Sequence, residues 1–274
     1  MVNPYARSLS QLKCVFMRVA FINQKGGTGK TSTVVNLGGA LQKKGYDVLV
    51  VDVDQQGNAT TWLRQKDHDS DLQEYLIHKP DTPPFKSTEW EGLDVLAGGE
   101  PSREAYAVLQ NRAVQTGRGA NRLKRLLDRD TSDYDFVLID CPPALNFINN
   151  MAFAAADAAV LVASTTGMSV EGLVQSFRYI KREVHGVDGL NPNLEVLGVL
   201  PTRFDRRKRI AKDTLSGLKE NDVVGQFVLD TVIRENTDIE KAWEDRSPIV
   251  YSYPQARGSE DYSDLAEELT NSTK

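Results

Sequence analysis

Lys25-Gly26-Gly27-Thr28-Gly29-Lys30-Thr31 stands between an apolar run, Val19-Ala20-Phe21-Ile22, and a stretch of helical character that opens at Thr31. Strand, glycine loop, helix is the order that a phosphate cradle needs. Backbone N–H groups in a glycine-rich turn come close to phosphate oxygens because no Cβ stands in the way. The helix start adds aligned dipoles and unpaired donors. A lysine at position 30 reaches the β- and γ-phosphates, and the Thr31 hydroxyl is placed to ligate Mg²⁺. Lys25, Gly26, Gly27, Thr28, Gly29, Lys30, Thr31 and Ser32 are therefore the candidate nucleotide-binding residues. The common pattern, G-x-x-x-x-G-K-[ST], has glycine where Gln24 stands, and Lys25 is an additional lysine.

Outward from the loop, apolar runs alternate with helical stretches. Strands are expected at Arg18–Asn23, Val48–Val53, Leu93–Leu96, Phe136–Ile139, Ala159–Ala163, Glu195–Leu200 and Gln226–Leu229. The runs are continuously apolar rather than alternating, which suits strands covered on both faces of a parallel sheet. Helices are expected at Thr31–Lys44, Asp71–His78, Arg103–Gln110, Ala120–Asp128, Asn146–Ala156, Ser169–Val184, Arg207–Asn221, Ile239–Asp245 and Ser259–Leu269. Gly45 is a good residue to end the first of them. The pattern is that of an α/β protein with a doubly wound, mostly parallel sheet flanked by helices. Residues 1–16 read as a disordered N-terminal arm, and 17–274 as a single domain.

Two further strand ends carry carboxylates. Val48-Leu49-Val50-Val51-Asp52-Val53-Asp54 is a buried strand followed by Gln55-Gln56-Gly57-Asn58. Alternation puts Asp52 and Asp54 on one side, opposite Val53. Ligands of doubly wound sheets sit at the carboxyl ends of strands, so Asp54 is placed to orient water or approach a metal. Phe136-Val137-Leu138-Ile139-Asp140 ends in a carboxylate that can hold Mg²⁺ directly or through water, and Pro142-Pro143 stops the strand. Cys141 reads as a small core residue beside the site, not a nucleophile.

Lys25–Thr31, Asp52-Val53-Asp54-Gln55-Gln56-Gly57-Asn58-Ala59-Thr60 and Ile139-Asp140-Cys141-Pro142-Pro143 together resemble the ParA/MinD family of deviant Walker P-loop ATPases, and within it the ParA/Soj partition branch. The resemblance runs from about Arg18 to the C-terminus. It implies the P-loop NTPase fold and an ATP hydrolase that uses ATP and Mg²⁺. It implies that Lys25 reaches across a nucleotide-sandwich dimer to the partner's phosphates. Lys30 is then the ordinary P-loop lysine, Thr31 and Asp140 hold the metal, and Asp54 is the carboxylate needed for hydrolysis. Lys25, Lys30 and Asp54 are the candidate catalytic residues. Thr231-Val232-Ile233-Arg234-Glu235-Asn236 resembles a family segment, with isoleucine in place of its proline, whose arginine binds DNA without sequence preference. Gln55 also stands where the family commonly has proline. No adenine-reading motif is evident, and Thr202 and Arg203 are candidates by position alone.

Lys25 also has a physical rationale. Two ATP molecules facing each other repel strongly, and a lysine donated by each subunit offsets that repulsion only when the γ-phosphate is present. Dimerisation becomes a two-state element biased by the ligand.

The chain of 274 residues has a net charge of −5, which argues against gross attraction to nucleic acid. The distribution is uneven, however. Arg203, Arg206, Arg207, Lys208, Arg209 and Lys212 crowd one segment beside a lone acid, Asp205. Positive charge is unfavourable near a helix start. That local cost, with the resemblance, makes Arg206, Arg207, Lys208, Arg209, Arg234 and Lys241 the candidate DNA-binding residues. The expected function is a plasmid or chromosome partition ATPase: a homodimer when ATP-bound, holding non-specific DNA, and released when a ParB-like partner stimulates hydrolysis. A ParA-like positioner of protein cargo shares every motif. A MinD-like membrane switch needs a basic amphipathic last helix, whereas Gly258–Thr273 is acidic, so no stable membrane association is expected. Two cysteines and no long apolar leader point to the cytoplasm, associated with the nucleoid.

Overall fold

The computed structural model describes residues 17–63, 71–99, 120–143, 147–166, 170–184 and 189–272. The arm at 1–16 and the helix expected at Arg103–Gln110 lie outside the described residues. The strands are β1 (Met17–Ile22), β2 (Val48–Asp52), β3 (Lys86–Ser87), β4 (Leu93–Leu96), β5 (Phe136–Asp140), β6 (Ala158–Ser164) and β7 (Glu195–Thr202). They form a seven-stranded sheet in the order β3-β4-β2-β5-β1-β6-β7. Every pairing is parallel except β3 with β4.

Alternating side chains serve two cores, one on each face. Val19, Phe21, Val48, Val50 and Leu138 join one cluster, and Ala20, Ile22, Leu49, Val51 and Ile139 join the other. That is why these runs read as continuously apolar: both faces are dry. The first face is covered by α1 (Lys30–Lys43), α2 (Asn58–Leu63), α9 (Ile249–Ser252) and α10 (Arg257–Ser272), with α1 packed along α10. The second is covered by α3 (Asp71–His78), α4 (Asn121–Asp130), α5 (Phe147–Ala155) and α6 (Val170–Tyr179).

The strand expected at Gln226–Leu229 does not form. Residues Gly225–Phe227 make a single 3₁₀ turn instead. Backbone N–H groups there are used locally, Gly225 donating to Asn221 O and Phe227 to Val224 O, so only Val228 bridges to Val199 on β7. Helix α7 (Arg209–Lys219) starts two residues later than expected, because Lys208 is extended. The Arg207 N–H and guanidinium bind the Asp205 carboxylate instead of entering the helix. Helix α8 (Thr237–Glu244) starts earlier than expected, where the Asn236 side chain accepts the Asp238 N–H and caps it. The final turn expected of the helix at Ser169–Val184 is a π turn over Ile180–Val184. The short elements α2, α9 and β3 carry too few residues for a periodic signal.

Candidate functional site

The loop between β1 and α1 is shaped by its own sequence and by a distant strand. The Asn23 side chain accepts the Lys25 N–H at 2.8 Å and donates to Val162 O at 2.5 Å, starting the turn. Gly27 and Gly29 take φ of 71° and 92°, the left-handed region that side chains rarely adopt. At the far side, Thr202 Oγ1 donates to the Thr28 carbonyl at 2.6 Å, and an Arg203 guanidinium N–H donates to the Gly27 carbonyl at 3.1 Å. Thr202 is in turn held by Thr165, whose N–H and hydroxyl both donate to its carbonyl. With two loop carbonyls drawn towards β7, the loop conformation is braced from outside.

The cleft above this loop has a volume of about 430 Å³. It is lined by the loop and helix start, Gly26–Ser32, with Asp54 and Pro143, and by a mixed polar and apolar wall that includes Thr202, Arg203, Ile233–Asn236, Ile239 and Tyr262.

The Thr31 hydroxyl donates to Asp140 Oδ2 at 2.7 Å, while Asp140 Oδ1 is buried with no hydrogen-bond partner among the described residues. Thr28 Oγ1 is likewise buried and unpartnered. A buried carboxylate oxygen with nothing to accept is costly, so this one has the chemistry of a cation ligand. Lys30 is also buried, and burial pulls its ammonium down from the ordinary lysine range, opposed by the Asp140 carboxylate. Burial pushes the Asp140 carboxyl well up, reinforced by Asp52, while Thr31 and Lys30 act the other way. A buried cation and a half-satisfied carboxylate side by side fit a phosphate with its divalent metal: the phosphate meets Lys30, and the metal meets Thr31 and Asp140.

Asp52 and Asp54 behave differently from each other. Asp54 lines the cleft, and its Oδ1 accepts the Gln56 N–H at 3.0 Å. Asp52 is wholly buried and does not line the cleft. It accepts the N–H and hydroxyl of Thr60, each at 2.8 Å. Burial raises its carboxyl to about 6. Cys141 is buried in the same neighbourhood, and burial pushes its thiol up.

The basic residues divide by partner. Arg207 is bidentate to Asp205, and Lys208 Nζ lies 2.5 Å from Glu235 Oε2. Arg209 is 94% exposed and only loosely paired with Asp213 at 3.6 Å. Arg206 is exposed, and among the described residues it forms no ion pair within 4.0 Å. Lys241 donates to Asp238 at 2.8 Å and lies over the Tyr253 ring. Arg234 is on the cleft wall, bound by Asp261 and Glu260 of α10 at 2.6 Å each. The segment bearing the first four is joined to the cleft wall: Phe204 N–H donates to Ile233 O, and Glu235 N–H donates to Phe204 O.

Ile233, Glu235 and Asn236 belong to the segment singled out for its arginine but were not read as cleft residues, and Ile239 and Tyr262 carry no sequence motif. They come from the loop before α8, from α8 itself and from α10, and only the fold gathers them. Thr202 had one usable signal, its place at the carboxyl end of a strand.

Residues 17–196 match a family described as an AAA domain. The chain is 36% identical over 256 residues to the chromosome partitioning protein ParA of Caulobacter vibrioides, covering 92% of each protein. It is 35% identical to the sporulation initiation inhibitor protein Soj of Bacillus subtilis, covering 92% of this chain and 97% of that one. Among solved structures it is similar to cobyrinic acid a,c-diamide synthase from Mycobacterium smegmatis, crystallised with a bound ATP analogue and magnesium. That match has a TM-score of 0.75 and 28% identity, and covers 93% of this chain and 95% of that one.

Proposed function

Because the chain belongs to the ParA/MinD family of P-loop ATPases, we propose that it is a ParA-type partition ATPase whose ATP-bound dimer holds DNA without sequence preference and lets go when a partner protein speeds hydrolysis. The hydrolysis of ATP is the family's chemistry, and the cleft suits it. Bound Mg²⁺ supplies charge neutralisation at the β- and γ-phosphates. Thr31 and Asp140 are the residues that hold it, and the free Oδ1 of Asp140 is the vacant acceptor. Lys30 faces the phosphates, and the glycine N–H groups direct their dipoles at them. Asp54, at the lip of the cleft, orients the attacking water. Lys25 is exposed on the loop, where a second subunit's nucleotide can meet it. The wall of Thr202, Arg203 and Ile233–Asn236 receives the nucleoside.

DNA is held by phosphate contacts from Arg206 and Arg209, so binding is salt-sensitive and sequence-tolerant. The observation that carries this is the backbone continuity between the two functions. Arg203 touches the phosphate loop, Phe204 pairs with the cleft wall, and the exposed arginines follow directly. The basic segment is thereby joined to the phosphate loop and to the cleft wall through hydrogen bonds. Attachment to anionic lipid has no comparable support: Asp261 and Glu268 of α10 accept backbone N–H groups of Arg234, Asp230 and Thr231, and the helix has no basic residue in its last turn.

Retention on immobilised non-specific duplex, with ATP or ADP, tests the reading. Retention with ATP alone is expected, abolished when Arg206 and Arg209 are replaced together by alanine. Undiminished retention of that variant overturns the DNA surface.

A further inference from the structure

We infer that Asp52 is a positioning residue for hydrolysis: it sets the place of Asp54 and locks the start of α2 to the Ala97–Gly99 segment, without itself touching nucleotide or metal. This rests on the assignment of Asp54 as the water-orienting carboxylate. By strand alternation Asp52 and Asp54 look equivalent, two acids on one side of a strand end. Their hydrogen bonds separate them. Asp52 Oδ1 accepts the backbone N–H of Asp54 at 3.1 Å, and Oδ2 accepts the N–H and hydroxyl of Thr60 at 2.8 Å each. The Thr60 hydroxyl, having donated to Asp52, accepts the Gly98 N–H at 2.8 Å. One buried carboxylate thus takes three donors and, through Thr60, a fourth.

The surroundings leave no room for another arrangement. A Cβ on Gly98 would lie 2.1 Å from the Asp52 carbonyl oxygen, so the segment after β4 is pressed directly against the end of β2. Gly57, with φ of 60°, backs on to the same segment: a Cβ there would lie 3.2 Å from Gly98 O and from Gly99 Cα. The loop that carries Asp54 is therefore fastened at its start through its own N–H and at its end through Thr60, with one side chain common to both. On the other side, Val53 N–H donates to the Asp140 carbonyl, so the same strand end is tied to the metal-facing strand. A catalytic carboxylate has to be held to within about half an ångström to be effective. Asp54 is buried where it lines the cleft, and the hydrogen bond its carboxylate accepts is a local one, from the Gln56 N–H two residues on, so the anchoring of its backbone falls to Asp52.

Charge is what makes the carboxylate necessary. A carboxamide of the same shape offers one acceptor oxygen and an NH₂ group, and the NH₂ faces N–H donors it cannot accept from. In Asp52→Asn, turnover of ATP is expected to fall about tenfold or more while the nucleotide dissociation constant stays within about threefold, since the phosphate loop is untouched. Thr60→Ala, which loses the shared hydroxyl, is expected to lower turnover in the same way, and Thr60→Ser, which keeps it, to restore near-normal turnover. Measurement is by steady-state hydrolysis and fluorescent-nucleotide titration on the full chain, with Asp54→Ala alongside. If Asp54→Ala is inactive and Asp52→Asn turns over normally, the inference about Asp52 falls alone. If Asp52→Asn loses turnover and nucleotide affinity in proportion, or Thr60→Ser behaves like Thr60→Ala, the role is general support of the fold and the inference is overturned. Normal hydrolysis by Asp54→Ala removes the role of Asp54, and with it the premise.

Discussion

Thr202, the last residue of β7, donates its hydroxyl to the carbonyl of Thr28 across 174 positions of sequence. Both residues are buried, so neither group has water as an alternative. Thr202→Val keeps the shape and deletes the donor, which leaves a buried carbonyl unpaired at a cost of about 1–3 kcal/mol. Because that cost falls on the loop that grips phosphate, the nucleotide dissociation constant is expected to rise about tenfold. Thr202→Ser is expected to bind normally. Titration with a fluorescent nucleotide reads both.

The two lysines of the loop separate binding from assembly. Lys30 is buried beside Asp140, so Lys30→Ala leaves that carboxylate without its cation and is expected to abolish nucleotide binding. Lys25 is exposed, and Lys25→Ala is expected to bind nucleotide normally but to lose both the ATP-dependent dimer and hydrolysis. Light scattering in ATP and in ADP decides: a normal ATP dimer of Lys25→Ala would remove the role given to that lysine.

Basic residues already neutralised by a neighbour should contribute less to DNA binding than those that are not. Arg206 and Arg209 are expected to carry more of the salt dependence than Arg207, which is locked to Asp205. Replacing one phosphate-contacting arginine by alanine should flatten the plot of log K against log salt by about 0.9. Fluorescence anisotropy on a random duplex, in ATP and at several salt concentrations, should show that change for Arg206→Ala and Arg209→Ala. Arg207→Ala should leave the slope nearly unchanged. Equal slopes for all three variants would mean that the ion pair opens on DNA.

Cys141 should be chemically silent in the folded protein. It lies beside Asp140, and burial disfavours its thiolate. In a Cys14→Ser background, alkylation by iodoacetamide at pH 8 is expected only after denaturant unfolds the chain. Stoichiometric labelling of the native protein would show that the thiol reaches solvent through the cleft.

The legible parts of the site were those contiguous in sequence. The phosphate loop and Asp140 each sit at the end of an apolar run, and their chemistry is set by immediate neighbours. Asp52 was ambiguous for a physical reason. Period-two alternation places its side chain correctly, but only the position of Thr60 on α2 reveals that all its acceptors are used. Of the cleft wall only Thr202 and Arg203 were legible, by their place at a strand end; Ile233 reaches it through its N–H bond to Pro201 of β7 and Tyr262 through the packing of α10 on α1, neither of which leaves a local signal. The apolar run at Gln226–Leu229 misled because it is as hydrophobic as a strand, yet its N–H groups close a turn that starts from Asn221. Arg234 resembled a DNA contact by sequence, and the structure adds what sequence could not, the two acids of α10 that hold it.

The sheet order has a consequence for how this chain is made. β1 is central, flanked by β5 and β6, and its register pairs Met17 with Phe136 and Val19 with Ala158. Both neighbours leave the ribosome over a hundred residues after β1 does. At roughly 5–20 residues per second, the interval is on the order of ten seconds. Through that time an apolar segment, Met17–Ile22, has two unsatisfied edges and no sheet to join, the condition under which nascent strands pair with the wrong partner. Until β5 and β6 have been made, β1 therefore has neither of its sheet partners, and the phosphate loop that follows it lacks the contacts to Thr202 and Arg203 that brace it.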